Sequence, residues 1–208
     1  MGLLSLLIRD PLAFILLAVP LLYSVIFHEL AHGWAADKMG DPTARFMGRL
    51  SLNPLKHLDP IGTLMLFFFG FGWAKPVPVN FNNLRRTGKA IMWVSSAGII
   101  ANMILAFLSI FMMQILPSAG YGLTGEILRV MARINIMLAA FNLIPIPPLD
   151  GSKIFMGFLP PKYQYFLSRI EPYGLFIIIG LLYLNLLDPV INFLSWLIIS
   201  VINLLLFK

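Results

Sequence analysis

The chain contains no cysteine, and only 12% of its 208 residues are charged. Without cysteine, a disulfide framework and a zinc site built on thiolates are both excluded. Because 59% of the residues are hydrophobic, a soluble domain of this length would have too little polar surface. Long hydrophobic runs instead predict an all-α integral membrane protein, with residues 1–208 forming a single membrane-embedded domain.

Acidic residues are also scarce, since nine Asp and Glu stand against fifteen Lys and Arg and leave a net charge of +6. A basic chain can bind nucleic acid, but no basic stretch here alternates with aromatic residues on a polar face. We therefore expect no nucleic-acid partner. In membrane proteins, basic residues collect in cytoplasmic loops beside anionic lipid, so the lipid bilayer is the expected partner.

Apolar segments along the chain predict a polytopic helical bundle. Asp10 is a suitable N-cap and Pro11 suits the first helical position, so the first helix begins there. Residues 61–73 are apolar but too short to cross a bilayer as a helix, which favours a re-entrant hairpin, and residues 44–52 favour a small interfacial β element. The predicted helices cover residues 11–36, 90–116 and 127–144, a three-helix core within 11–155, and a C-terminal helical pair within 172–207.

Basic residues are distributed unevenly between the two ends of these helices. The loops after the first and third predicted helices, together with the C-terminus, contain twelve of the fifteen Lys and Arg. The opposite side keeps Arg9, Arg129 and Arg133. Because cytoplasmic loops carry the excess of positive charge, we expect the N-terminus outside and the C-terminus in the cytoplasm.

Residues 28–32 read His-Glu-Leu-Ala-His and follow a run without charge from Pro11 to Phe27. On a helix, His28 and His32 lie one turn apart on one face, where both imidazoles can bind one zinc ion. Glu29 lies about a quarter-turn away, within reach of a metal-bound water. A chance match is disfavoured, because such groups are costly in lipid unless paired, liganded or wetted. The motif therefore predicts a metal site that needs a third protein ligand.

The third ligand is expected at a similar depth in the membrane. If the first helix ends near Asp37, His28 lies roughly 13 Å from that end. Residues 142–151 read Asn-Leu-Ile-Pro-Ile-Pro-Pro-Leu-Asp-Gly, and their three prolines break the third helix near the same side. This break turns Asp150 back toward the bundle. Glu171 is the alternative, because the other acids lie in the polar loop or on the far side.

These motifs together resemble the site-2 protease family of intramembrane zinc metalloproteases, peptidase family M50. The motif at 28–32 and the later Asn-x-x-Pro-x-Pro-x-x-Asp-Gly at 142–151 carry the resemblance. Gly-x-x-x-Asn at 98–102 and Gly-Arg-Leu-Ser-Leu-Asn-Pro at 48–54 extend it, so that it covers residues 20–155. The chain looks like a short bacterial or archaeal member, with no inserted PDZ-like domain and no spanning segment before the zinc helix.

The resemblance implies hydrolysis of a peptide bond within or near the transmembrane segment of single-span membrane proteins. It implies a prokaryotic plasma membrane, an active site open toward the cytoplasm and one zinc ion per chain. The implied site consists of zinc ligands His28, His32 and Asp150, general base Glu29, and Asn142 and Asn102 near the substrate or the developing oxyanion. Asn102 also suits hydrogen bonding between helices.

Other interpretations remain open from the sequence. The His and Glu cluster also suits an ion-conducting path or a transporter, and the chain also suits a catalytically silent scaffold. An extended substrate would pair with exposed backbone at residues 45–52 or 76–81. His57 is expected to be an ordinary loop residue, while residues 67–73 suit either lipid contact or a substrate path.

Overall fold

The computed structural model describes residues 2–70, 72–84, 87–116 and 120–206, most of which are helical. The helices in those ranges are α1 (Leu3–Arg9), α2 (Pro11–Lys38), α3 (Thr43–Phe46), α4 (Pro60–Phe69), α5 (Thr87–Ile115), α6 (Gly122–Asn142), α7 (Asp150–Met156), α8 (Pro161–Ile170), α9 (Gly174–Tyr183) and α10 (Asp188–Leu205). Within the same ranges, β pairing is confined to one isolated bridge. The prediction of a helical protein is confirmed.

The first predicted helix forms as α2 and is capped as the sequence indicates. Asp10 accepts a hydrogen bond from the Ala13 amide at 2.9 Å, and Pro11 occupies the first helical position. The helix continues for 28 residues, or about 42 Å, which is enough to cross a bilayer. Pro20 lies inside it and removes one backbone hydrogen bond. Just beyond its end, Gly40 turns the chain with a φ of 106°.

Four helical stretches are long and apolar enough to cross a membrane in the part of the chain that the structure describes. They are Pro11–Lys38, Gly88–Ile115, Lys162–Tyr183 and Asp188–Leu205. The third predicted helix corresponds to α6, which is not among them because it carries Glu126, Arg129 and Arg133. One face of the second half of α6 is buried by contacts with α2, α5 and α10, so protein shields that face from lipid. The chain is a multi-pass integral membrane protein.

Small residues let the central helices approach closely. Ala106 of α5 and Ala139 and Ala140 of α6 are fully buried where these helices meet, and Ile202 of α10 packs into the same cluster. Between membrane helices, such close packing and interhelical hydrogen bonds replace the hydrophobic driving force of soluble proteins. Because α2 contacts both α5 and α6, residues 28–32 lie against the bundle core.

The small β element predicted over residues 44–52 is wrong. Thr43–Phe46 forms a helical turn instead, and the Asp41 carboxylate accepts the Thr43 amide at 3.2 Å where that turn begins. Gly48 then reverses the chain with a φ of 61°, which a continuous strand does not allow. Local turn chemistry therefore decides the conformation of this segment.

The apolar residues 61–73 contribute to a hairpin whose first limb is the helix α4. Asp59 caps α4 by accepting the Gly62 amide at 2.8 Å, and Gly70 ends the helix with a φ of 81°. The ten residues of α4 span about 15 Å, half of a hydrocarbon core. The antiparallel bridge between Leu58 and Ala74 closes the hairpin. It stays a prediction that this hairpin re-enters the membrane.

The C-terminal helical pair begins earlier than the predicted residue 172. The chain is helical from Lys162 to Tyr183, because α8, the 3-10 turn Glu171–Tyr173 and α9 follow one another directly. Pro172 lies in the first turn of the middle piece, where its missing N–H group is not needed. The second helix of the pair forms as α10, close to its predicted bounds.

Candidate metal centre

Two buried histidines of α2 bring their ring nitrogens together. The Nε2 atoms of His28 and His32 lie 3.0 Å apart. Nδ1 of His28 lies 2.6 Å from Asn102 Oδ1, and Nδ1 of His32 lies 2.7 Å from the Val94 carbonyl. Since both partners are acceptors, each Nδ1 carries the proton and donates it. Both Nε2 lone pairs are therefore available to a metal ion.

Asp150 brings a carboxylate to the same point from the first residue of α7. Its Oδ2 lies 3.1 Å from His28 Nε2 and 3.0 Å from His32 Nε2. The chain reaches this position through a tight turn after α6. A Cβ atom at Gly151 would lie 2.2 Å from the Leu143 carbonyl oxygen, so only glycine permits this close approach. Three ligand atoms from two helices thus form a nearly equilateral triangle.

This donor set suits zinc. Tetrahedral zinc, with bonds of about 2.0–2.1 Å, has ligand atoms about 3.3 Å apart, and the three atoms here are 3.0–3.1 Å apart. Two imidazoles and one carboxylate also make up the protein ligands of hydrolytic zinc sites, which keep a fourth position open. Across the described ranges, this is the one cluster of His, Asp and Glu whose ligand atoms lie within 4.8 Å of one another.

The close approach of α5 to the ligand atoms depends on a glycine. A Cβ atom at Gly98 would lie 2.4 Å from His32 Nε2 and 2.7 Å from His28 Nε2. Any side chain at this position would therefore enter the space where the ligand atoms converge. In the Gly-x-x-x-Asn pattern, Gly98 leaves room for the centre, and Asn102 contacts His28 one turn later.

Asn102 lies behind His28 and continues into a buried hydrogen-bond network. Its amide donates to Asn135 Oδ1 at 2.8 Å and to the Ser24 carbonyl at 3.3 Å, and Asn135 donates to Ser24 Oγ at 2.8 Å. Both amide hydrogens of Asn102 are thus used inside the protein, which favours the interhelical role over the oxyanion role. Sequence reasoning missed Asn135 and Ser24, because an isolated polar residue in a helix carries no spacing signal.

Glu29 contacts a segment that the sequence presents only as a basic loop. This segment, Lys75–Leu84, is called the strap below. Oε2 of Glu29 accepts the Val77 main-chain amide at 2.7 Å. No hydrogen bond from the described part of the chain reaches Oε1. The half-buried carboxylate therefore has one oxygen fixed by the strap and one oxygen free.

A buried arginine holds the start of the strap. Nη2 of Arg49 donates to the Lys75 carbonyl at 2.8 Å and to the Pro76 carbonyl at 3.2 Å. His57, eight residues after Arg49, is also buried, and its Nε2 donates to the Ser51 carbonyl at 2.7 Å. The loop that supports the strap is therefore built on internal hydrogen bonds, and His57 contributes to its shape rather than to the ligand set.

A buried carboxylate holds the strap farther along. Asp41 accepts hydrogen bonds from the Asn80 amide at 2.7 Å, the Asn83 side chain at 2.9 Å and the Thr43 hydroxyl. Burial by itself raises the pKa of Asp41, but the hydrogen bonds favour the charged form and leave the pKa below its ordinary value. The resulting stabilisation is present at neutral pH and is lost only in acid, as the pH falls through that lowered pKa.

Two further residues singled out from the sequence lie apart from the ligand atoms. Asn142 donates to the Leu138 carbonyl of its own helix at 3.0 Å, and no hydrogen bond within the described ranges joins it to the three ligands. Glu171, the alternative third ligand, pairs instead with Lys153 at 3.5 Å. The structure thus brings Asp150, and not Glu171, to the histidines.

The fold and this centre define a multi-pass membrane protein with a candidate metal-binding site between its helices. The family model described as Peptidase family M50 matches residues 117–184, which include Asp150. A protein of Bacillus subtilis named "Putative zinc metalloprotease YwhC" is 38% identical over 187 residues, which cover 86% of this chain and 84% of YwhC. The chain belongs to peptidase family M50.

More distant relatives agree with this assignment. Rip2 of Mycolicibacterium smegmatis, which carries the same descriptive name as YwhC, is 28% identical over 184 residues, covering 86% of this chain and 69% of Rip2. Zinc metalloprotease MJ0392 of Methanocaldococcus jannaschii is 27% identical over 154 residues, covering 73% of this chain and 37% of MJ0392. No solved structure gives a significant match.

Proposed function

We propose that this chain is an intramembrane zinc metalloprotease of the site-2 type. It hydrolyses a peptide bond within or near the transmembrane segment of a membrane protein. The observation that carries the proposal is the convergence of ligand atoms from His28, His32 and Asp150 beside Glu29, on a helix long enough to cross a bilayer. Membership of family M50 and the zinc metalloprotease names of the relatives support it.

The proposed roles follow from the atoms that each residue leaves free. His28, His32 and Asp150 hold one zinc ion per chain, which when bound supplies Lewis acidity and a water of lowered pKa. Glu29 is not a ligand, and its free Oε1 accepts the proton of the attacking water and passes it to the leaving amine. Asn102 orients His28. Asn142 remains the candidate for steadying the substrate carbonyl.

The substrate backbone must be extended at the cleaved bond, because a helix hides its carbonyls in internal hydrogen bonds. Of the two segments considered for strand pairing, residues 45–52 begin with a helical turn and a reversal at Gly48, which interrupt an extended edge, so we favour the strap at residues 76–81. The Val79 amide has no hydrogen-bond partner within the described ranges. We therefore propose that a substrate strand pairs with the strap at Val79.

Replacing Val79 with Pro is expected to raise the KM for a single-span substrate about 3- to 10-fold, the cost of one hydrogen bond. Zinc content should stay unchanged, since the strap supplies no ligand. Val79→Ala is the matched control, because it removes the side chain and keeps the amide. Michaelis–Menten kinetics in liposomes provide the measurement. Equal KM values for the two variants would contradict strand pairing at this position.

The membrane orientation is proposed from charge alone. Twelve of the fifteen basic residues lie on one side of the predicted spans, so the C-terminus and the opening of the centre would face the cytoplasm of a prokaryotic plasma membrane. Single-span membrane proteins are the proposed substrates. The α4 hairpin would re-enter the membrane from the same side, because its two ends meet at the bridge between Leu58 and Ala74.

Cleavage by the purified protein tests the proposed function directly. The protein is placed in liposomes with a single-span substrate, stripped of metal with a chelator, and then reloaded with zinc. A protease loses cleavage on stripping and recovers it with one zinc per chain. An ion path would instead give zinc flux across the liposome without cleavage, and a silent scaffold would give neither. Either of these results would reject the proposal.

Replacing Asp150 with Ala is expected to weaken zinc binding by at least about 100-fold and to abolish cleavage, because loss of a ligand exceeds the cost of losing a supporting contact. Glu171→Ala is the matched control, since it removes the alternative acid while leaving the three converging ligand atoms. Zinc affinity is measured by competition with a chelator of known affinity. If Glu171→Ala loses zinc and Asp150→Ala retains it, the third ligand is Glu171 and not Asp150.

A further inference from the structure

We infer that the main-chain amide of Val77 positions the general base Glu29, an inference that rests on the proposed function. The amide nitrogen lies 2.7 Å from Glu29 Oε2. An N–H group that binds one carboxylate oxygen restricts rotation of the group, so the other oxygen points in a defined direction. Glu29 lies on α2 and Val77 on the strap, 48 residues later. Two separate elements therefore fix where Oε1 meets the attacking water.

The amide is held in place by buried contacts on both sides. Arg49 binds the carbonyls before Val77, and Asp41 binds the Asn80 amide after it. The Val77 side chain is itself buried and packs directly on α2. A Cβ atom at Gly33 would lie 2.7 Å from Val77 Cγ1, so the strap sits against the turn that follows His32 only because residue 33 is glycine.

The sequence around Val77 suits this task. Pro76 and Pro78 flank it, and neither has an N–H group. The Val77 amide is therefore the one donor that the backbone offers between Lys75 and Val79. The two prolines also restrict the backbone, which lowers the entropy lost when the donor is held at a fixed place. The Pro-Val-Pro sequence thus presents a single donor in a stiff segment.

Comparison of Val77→Pro with Val77→Ala tests the inference. Proline removes the N–H group, whereas alanine keeps it and loses the same side-chain contacts with α2. We expect the kcat of Val77→Pro to be about 10- to 100-fold below that of Val77→Ala, since a base misplaced by about 1 Å costs up to 100-fold. KM and zinc content should match between the two variants. A merely structural role would lower zinc content or raise KM.

A second pair of variants covers the case in which the added proline unfolds the strap. Gly33→Ala keeps every N–H group but pushes Val77 away from α2, and we expect kcat to fall about tenfold. Adding Val77→Ala removes the Val77 atoms that clash with the new methyl group, while Leu50 Cδ2, at 2.6 Å, must still move in both variants. The double variant should therefore restore part of the lost kcat. Rescue of kcat with constant zinc content supports the inference. No change in kcat with Gly33→Ala overturns it.

The inference and the proposed function fail in different ways. If the zinc-loaded wild-type protein cleaves no substrate, the proposed function is rejected. If it cleaves, and Val77→Pro and Val77→Ala have equal kcat values, the role of the amide is rejected while the protease assignment stands.

Discussion

Replacing Glu29 with Gln is expected to slow cleavage of a single-span substrate by roughly 10²- to 10⁴-fold, the usual contribution of general acid–base catalysis. Glutamine has nearly the same shape and can still accept the Val77 amide, but it cannot take a proton from water. Because Glu29 is not among the converging ligand atoms, one zinc per chain should remain bound. Initial rates in liposomes and zinc measured by mass spectrometry separate the two effects.

Glu126→Gln provides the matched control for this substitution. Glu126 lies in the first turns of α6, where it is exposed and pairs with Arg129 at 2.7 Å. The same chemical change there should leave both the rate and the zinc content within about twofold of wild type, since exposed ion pairs contribute little. If the cleavage rate of Glu29→Gln is within tenfold of wild type, Glu29 is not the general base. Loss of zinc in that variant would instead make Glu29 a ligand.

Replacing Gly98 with Ala is expected to lower zinc affinity by at least about 100-fold and to abolish cleavage, because the new methyl group displaces the ligand atoms themselves. The added Cβ would lie 2.4 Å from His32 Nε2 and 2.6 Å from His28 Cε1. One of the rings must rotate, or α5 must shift, and either change breaks the triangle of ligand atoms. Chelator competition measures the affinity.

In Gly98→Ala, helix propensity and the clash with the ligand atoms have opposite effects, which makes the substitution informative. Alanine in a helix interior is favoured over glycine by about 1 kcal/mol, so helix propensity alone predicts a stabilised protein. Gly88→Ala in the same helix is the control, since among the residues that the structure describes its Cβ would meet the Gly157 carbonyl alone, at 3.6 Å, an ordinary contact. Wild-type zinc affinity in Gly98→Ala would contradict the proposed centre.

The local part of the site could be predicted from the sequence. His28, Glu29 and His32 lie within about one helical turn, so the helix period alone fixes their arrangement. Asp150 required an argument about depth, based on prolines that end the preceding helix at a definite place, and its carboxylate does lie beside both histidines. Its role as a ligand stays a prediction. The start of α2 also followed from local signals, the N-cap Asp10 and Pro11.

The long-range part of the site could not be predicted. The contact between Glu29 and Val77 joins a helix to an irregular segment, and such a segment has no periodicity from which a partner can be inferred. Arg49 and Asp41 look like ordinary loop charges in the sequence, because burial depends on tertiary structure. The strand expected at residues 44–52 does not form for a related reason. The Asp41 carboxylate and Gly48, with its positive φ, set a turn that overrides the preference of these residues for extended backbone.

The wide separation of the ligands along the chain bears on how the bundle holds together. Asp150 lies 118 residues after His32, and the chain has no cysteine with which to form a disulfide. A metal bound to both residues therefore acts as a cross-link between α2 and α7, the ends of a loop that contains α5 and α6. The ion binds the folded chain and not the unfolded chain, in which the ligands are far apart, and so it stabilises the folded state by mass action. The ion that supports hydrolysis would also stabilise the packing of the helices that surround it.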